Sequence, residues 1–438
     1  MHHTKLLRTL AILFAATLVA ASCGDDDDAT EATDTTGTTS AEVAGDEETT
    51  TTAGAPEPTA GFDGETIKLG VLVPLTGLPS LIGSPLAAGQ EAYWDHVNTE
   101  LGGIAGEYPV EVVLEDTLYE VNTTVQKYNK IKGDVVMLAQ VMGTPHNQAL
   151  LPLLDDDDIV SAPAGQDSIF IREQHMLPVI EPYQVDVINA VDYYLRNGGS
   201  VEDTFCGVIE NDVYGEAGRE GLEFAADEFG FDIAQVSEFE LGDADFTAQV
   251  TALKNAQCDF VMATALPSEF NGLITTADNL DFAPRWVGQS PSWVDEFAGT
   301  DLASYYQDHV WIVAVGYGAD PEASDFARTL YRNRPDQAPD NYFLFAGYQA
   351  FAVHQVLERA VERGDLSREG IVDAMNSIEV LEFDDVIGDY TWGPPEDRDP
   401  PRVSSMFAVD PAAPFALAPL EINFTSDAAE AYEVPGGS

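Results

Sequence analysis

From residue 67 onward the chain alternates short apolar runs with segments of helical spacing, and after residue 182 the alternation starts again. IKLGVLVPL (67–75) is a near-continuous apolar run closed by Thr-Gly, the pattern of a strand buried on both faces. The spacing of 84–101 predicts a helix stopped by Gly102-Gly103. VEVVLED (110–116) follows as a strand, 122–131 as a helix and DVVMLAQV (134–141) as a strand. Thr144-Pro145 reads as an N-cap followed by proline at the first helical position, and IVSAPA (159–164) closes the series. The second series runs from a helix at 182–198 through strands at 205–210, 233–241, 258–266, 285–289 and 309–317, with helices between them. Long helices at 340–363 and 367–378 and a Pro-rich, strand-containing tail complete it. Two βαβ series predict an α/β protein of two doubly wound parallel-sheet lobes with right-handed crossovers. Ligands of such sheets sit beyond the carboxyl ends of the strands, so two facing lobes make a cleft that can hinge shut.

The first 65 residues obey different rules. Lys5 and Arg8 precede the apolar run Leu10–Ser22, which is too short for a comfortable membrane span and ends in small residues, as an export signal does. Residues 24–64 are Asp, Glu, Thr, Ala, Gly and Pro with almost no large apolar side chain, and cannot offset the entropy of ordering. The segment is expected to be a flexible tether of roughly 35 Å r.m.s. span. The stretch Ala20-Ala21-Ser22-Cys23 resembles the lipobox of bacterial lipoproteins, in which the signal is cut before a cysteine that then carries lipid. The alternative is an ordinary secretory signal with a chance cysteine.

The formal net charge is −57, and only 13 of the 76 acidic residues precede residue 66, so the body itself is strongly acidic. That field repels nucleic acid, and it reads as a solvated coat suited to a salty medium. Besides Cys23 there remain Cys206 and Cys258, each at the start of a predicted strand. In a doubly wound sheet those strands would be neighbours, so the pair reads as either one disulfide or two buried thiols.

Motifs for chemistry are sparse. The sequence contains no HExxH, CxxC, G-x-S-x-G or phosphate-cradling glycine loop, and Gly288-Gln289-Ser290-Pro291-Ser292 lacks the last glycine of a nucleophile elbow. The seven histidines lack ligand spacing, and the Asp155–Asp158 run reads first as an exposed helix end, so neither a metal nor a cofactor is expected.

The succession IKLGVLVPLTG, a small-residue-rich helix ending in Gly-Gly, VEVVLED, SAPAGQ, NDVYGEAGREG, DFTAQVTALKNAQCDFVMAT and RWVGQS resembles the branched-chain amino-acid (Leu/Ile/Val-type) solute-binding proteins of ABC importers, over roughly residues 66–416. The resemblance implies the type I periplasmic-binding-protein fold, with a three-segment hinge near Pro182, Val315 and Gly388. It places the signal peptide, the tether and the lobes at 1–22, 23–65, 66–181 plus 316–387, and 182–315 plus 388–438. It implies that Gly143-Thr144 and Ala164-Gly165-Gln166 receive a ligand carboxylate, helped by free N–H groups at a helix start, and that Tyr214 covers the ligand on closure. Where the family has an aromatic wall, a second pocket tyrosine and the carboxylate that pairs with a ligand ammonium, this chain has Ile82, Leu266 and Ser290. A buried ammonium without a partner is costly, so either the ligand is not an amino acid or another acid serves, with Glu210, Asp212 and Asp116 as candidates. Trp293 is a candidate to stack on a ligand ring.

The expected protein is a monomeric, lipid-anchored binder on the outer face of the membrane, delivering a small molecule to an ABC permease. A ligand-sensing receptor module of the same fold is the alternative, and a secreted hydrolase a more distant one.

Overall fold

A computed structural model describes residues 54–316, 318–383 and 387–436. The export signal, Cys23 and the tether up to residue 53 lie outside the described residues. The tether as read from composition reaches too far, because its end is packed onto the body. Phe62 is 2 % exposed and sets its ring edge-on against Tyr108 at 5.3 Å, while the Lys68 amide donates to the Gly61 carbonyl at 2.8 Å. A single aromatic in an otherwise polar segment supplies the buried area that composition averages away.

The chain runs β1 (Ile67–Val73), α1 (Ser80–His96), β2 (Val110–Asp116), α2 (Val121–Ile131), β3 (Met137–Met142), α3 (Thr144–Asp157) and β4 (Ser161–Ala164). These strands make one all-parallel sheet of order β2-β1-β3-β4. Next come α4 (Tyr183–Arg196), β5 (Phe205–Glu210), α5 (Val213–Phe229), β6 (Ile233–Phe239), α6 (Thr247–Ala256), β7 (Phe260–Thr264), α7 (Pro267–Asn279), β8 (Arg285–Gln289), α8 (Ala303–His309) and β9 (Val310–Ala314). The chain continues as α9 (Asp325–Asn333), α10 (Asn341–Glu362), α11 (Arg368–Asn376), β10 (Val380–Leu381), β11 (Tyr390–Thr391), β12 (Ser404–Val409), β13 (Leu417–Phe424) and α12 (Asp427–Ala431). The second sheet has the order β13-β12-β9-β8-β7-β5-β6. It is mixed rather than parallel throughout, since β12 joins β9 antiparallel and β13 joins β12 antiparallel. The tail thus covers an edge that β9 would otherwise leave open.

After β9 the chain returns to the first sheet. There α10 packs along α1, and Gln90 Nε2 donates to the carbonyls of Ala139 on β3 and Ala346 on α10, at 3.3 and 3.2 Å. After β11 the chain crosses to the second sheet again. Buried Arg398 holds that passage, donating from Nη1 to the carbonyls of Glu173 and Met176 at 2.7 and 3.1 Å, with its guanidinium 4.3 Å from the Trp392 ring centroid. Desolvation lowers its pKa to about 10, which leaves it charged at neutral pH.

Two local expectations need revision. Helix α1 begins at Ser80 rather than at residue 84, because Pro79 occupies the N-cap position and Pro85 is accommodated inside the helix. Thr144 does not cap α3. Gly143 holds that position with φ +103°, no side chain caps the helix start, and Thr144 is its first residue. Cys206 and Cys258 are joined by a disulfide, with their Cα atoms 5.9 Å apart, because β5 and β7 are neighbours in register Phe205↔Phe260.

Candidate functional site

A narrow cavity of about 80 Å³ is lined by residues from both sheets, at the carboxyl ends of the strands. From the first sheet come Ile82 on α1, Gly143 and Thr144 after β3, and Ala164 and Gln166 at the end of β4. From the second come Tyr214 after β5, Leu266 after β7 and Ser290 after β8. The eight positions singled out in the sequence therefore share one cavity.

Backbone geometry explains the glycines beside Thr144. At Gly143 an added Cβ would lie 2.4 Å from His146 Nδ1, and the positive φ is costly for other residues. At Gly165 a Cβ would lie 2.8 Å from the Thr144 amide nitrogen. The two glycines let the uncapped start of α3 approach the end of β4, and free N–H groups at a helix start favour an anion.

The cavity holds buried polar atoms that the protein does not satisfy. The Tyr214 hydroxyl and Gln166 Oε1 have no hydrogen-bond partner, although both residues are at least nine-tenths buried. Gln166 Nε2 donates to the Pro163 carbonyl at 2.9 Å, and its oxygen is left without a partner. Burial, together with the neighbouring Tyr183 and Glu210, keeps the Tyr214 hydroxyl protonated far beyond neutral pH, so it is available as a donor. Its ring lies 4.9 Å from that of Tyr183. Across the mouth, the Tyr342 hydroxyl on α10 lies 2.9 Å from the Ser290 carbonyl and 2.6 Å from that of Trp293, a polar latch between the two halves.

None of the three acids considered as ammonium partners lines this cavity. Asp116 accepts from the Leu75 and Leu118 amides and the Thr76 hydroxyl. Asp212 caps α5, accepting from the Tyr214 and Gly215 amides at 2.9 and 3.0 Å. Glu210 is buried, and its pKa is pushed up to about 9 by desolvation and by Asp212 and Glu269. The acid that does line the cavity is Asp186, on the first turn of α4. Ser404 Oγ donates to it at 2.9 Å, and desolvation raises its pKa to about 7. Glu181 beside it is held protonated by burial and by Asp186. The available sequence signal was an acid in the first turn of α4 that is buried with the residues around it, a property the sequence does not display. Tyr119, Tyr183 and Tyr342 also line the cavity and were not singled out. Trp293 does not line it. It is buried against Phe297 and Tyr306, with its indole N–H on the Phe415 carbonyl.

Among the described lining residues there is no Lys, Arg or His, and Asp186 is the one acid. Such a wall suits a ligand that is mostly apolar and carries a small polar group. It offers no histidine beside Ser290 to act as a base. Among the described residues no cluster of three or more potential metal ligands occurs, and no helix is long and apolar enough to cross a membrane.

The periplasmic binding protein family matches residues 66–413. A fatty acid ABC transporter substrate-binding protein from Thermomonospora curvata superposes with a TM-score of 0.80 at 23% identity, covering 87% of this chain and 98% of that one. A branched-chain amino acid ABC transporter protein from Thermus thermophilus, solved with bound valine, gives 0.70 at 19% identity over 84% and 98% of the two chains. A leucine binding protein from Thermotoga maritima gives 0.67 at 18% identity over 82% and 99%. Comparison with curated protein sequences finds no significant match. The match across most of its length, on the two-sheet fold described above, places the chain in the periplasmic binding protein family, a family of extracytoplasmic substrate-binding proteins.

Proposed function

We propose that this chain is an exported, lipid-anchored solute-binding protein. It captures a small molecule with an apolar body and a polar head in the cleft between lobes 66–181 plus 316–387 and 182–315 plus 388–438, and hands it to an ABC importer. One observation supports the reading: Tyr214 and Gln166 bury unpartnered polar atoms at a cavity whose other walls are mainly apolar and aromatic, with Thr144, Asp186, Ser290 and Asn341 as the other polar side chains. Unmade hydrogen bonds of this kind cost about 1–3 kcal/mol each, and a ligand group that completes them recovers that cost. The start of α3 with Thr144 supplies donors for the head, while Ile82 and Leu266 face the body. Capture needs only a ligand with higher affinity for the closed state, and hinge motion near Pro182, Val315 and Gly388 supplies that closure. Cys23 carries the lipid anchor. No nucleic acid, metal or cofactor takes part, and the body acts as a monomer.

A fatty acid and a branched-chain amino acid, named for two of the neighbours, are the two ligand classes to test, and Asp186 is the residue that would tell them apart. An amino acid needs an anionic partner for its ammonium, and Asp186 lies on the cavity wall. A thermal-shift screen of residues 54–438 against leucine, valine, phenylalanine, short amides and aliphatic and aromatic carboxylates tests the reading. A ligand at about 100 times its Kd adds roughly 2.7 kcal/mol of stability. A shift with leucine or valine that disappears in Asp186→Asn assigns the ammonium to that acid. A shift with carboxylates alone assigns the head to α3, and no shift from any member counts against the proposal. Co-purification with permease subunits, rather than with a signalling protein, separates transport from sensing.

Tyr214→Phe is expected to weaken the responding ligand about tenfold, the value of one hydrogen bond lost. Its melting temperature without ligand should not fall and should rise by a few degrees, since the hydroxyl bonds nothing in the protein and its unpaired burial is relieved. Titration calorimetry checks the first statement and calorimetric melting the second. Unchanged affinity would remove Tyr214 from the site.

A further inference from the structure

A second space lies against the cavity on its outer side. This groove, of about 480 Å³, shares Ile82, Tyr119 and Leu266 with the inner cavity as a common wall. Its own walls come from the loops after β1, β2, β6 and β7, so it also lies at the carboxyl ends of strands from both sheets. Those loops present leucines to solvent. Leu78 is 67 % exposed, Leu81 38 %, Leu118 45 % and Leu241 48 %, which accounts for half of the exposed large apolar side chains among the described residues. Scattered singly they would need no explanation, but four around one groove form a patch.

Two of the groove's polar atoms are already committed: Glu269 Oε1 accepts from the Gly242 amide at 3.0 Å, and Asn271 Oδ1 accepts from the Tyr306 hydroxyl at 2.9 Å. What remains open to an occupant is mainly apolar. The inner cavity is complementary: it is several times smaller, and its lining residues include the unpartnered atoms Tyr214 Oη, Gln166 Oε1 and Asn341 Oδ1.

We infer that the two spaces hold one elongated amphiphile, with its polar head at Tyr214, Gln166 and Thr144 and an unbranched apolar chain running past Leu266 and Tyr119 into the leucine-rimmed groove. The inference rests on the solute-binding reading above and names the class of solute. Adjacency supports this occupant over a partner protein, since the groove shares three residues with a cavity whose lining carries unpartnered polar atoms. A compact amino acid would leave the groove and its four leucines wet.

Straight-chain carboxylates from butanoate to tetradecanoate, kept below micelle formation, test this by titration calorimetry on residues 54–438. Affinity should rise about fourfold per methylene, the equivalent of ~0.8 kcal/mol per buried CH₂, until the groove is filled. In Leu78→Ser/Leu241→Ser the increment per methylene should collapse toward onefold for the longer members. In Leu420→Ser, an exposed leucine on β13 outside the groove, the increment should match the parent. Affinity that peaks at four or five carbons overturns the elongated ligand while leaving a small-solute site intact. If no chain binds but a short solute from the thermal-shift panel stabilises the protein, the amphiphile alone falls; if neither binds, both readings fall. Concentration-dependent self-association abolished in Leu78→Ser/Leu241→Ser would give the groove to a second copy and likewise overturn the inference.

Discussion

Reducing the bond between Cys206 and Cys258 is expected to lower the unfolding free energy by about 4 kcal/mol. The two cysteines are 52 residues apart in sequence, and a cross-link of that span removes loop-closure entropy from the unfolded chain worth about this much. The closed loop contains α5, β6 and α6, and β6 is the strand at the edge of its sheet. β6 is held on one side only, by β5, so its attachment depends on the bridge more than that of the central strands. Urea unfolding of the oxidised protein, the reduced protein and Cys206→Ala/Cys258→Ala checks the value. Both altered forms should lose similar stability, and amide exchange should accelerate first in β6 and α6. A loss under about 1 kcal/mol would mean that the unfolded chain is already held together in this region.

The second large effect is a fall in stability from pH 5 to pH 8, opposite to the usual acid lability. Asp186 has its pKa raised by desolvation to about 7, as has Asp340, and Asp167 is raised to about 6. An ordinary aspartate in the unfolded chain titrates near 4. Between these values the native state binds more protons than the unfolded state, so stability falls as pH rises through the window and stays low above it. Three pH units for Asp186 alone correspond to about 4 kcal/mol. Asp186→Asn keeps an oxygen to accept from Ser404 and removes the charge. It should therefore raise stability at pH 8 by about 2–4 kcal/mol, change little at pH 5, and flatten the slope between them. An unchanged slope would exclude Asp186 as its source. The acid that carries this cost lies on the wall of the cavity, and perturbed acids of this kind cluster at functional sites.

Much of the architecture is written locally. A run such as Ile67–Val73 is apolar at nearly every position because it is covered on both faces, and VEVVLED, FCGVIE and RWVGQ become strands over the same residues that the pattern marked. Gly102 and Gly230 end helical segments in the left-handed conformation, as a glycine at that place predicts. These features depend on neighbours a few residues away, and periodicity and turn chemistry report them directly.

Features set by distant neighbours were not legible. The antiparallel seam of β12 and β13 depends on which edge the tail meets, and a strand's own residues do not record its partner's direction. The packing of Phe62 depends on Tyr108, far along the chain. Trp293, an indole in a loop, looked free to meet a ligand, yet it is buried because Phe415 comes from the tail to accept its N–H. The acid on the cavity wall is likewise a tertiary fact. Glu210, Asp212 and Asp116 follow strands of the two series, but their carboxylates are taken up by caps, turns and one another, while Asp186 faces the cleft from a helix after the crossover. By itself the sequence determined the two-lobe α/β plan, the places after the strands that line the cavity, and the pair of cysteines brought together by adjacent strands, because strand order and burial follow from periodicity. Only the tertiary structure decided which polar atoms at the cavity are left without partners, which acid lines it, and that an apolar groove adjoins it, because each of these is a relation between surfaces supplied by different parts of the chain.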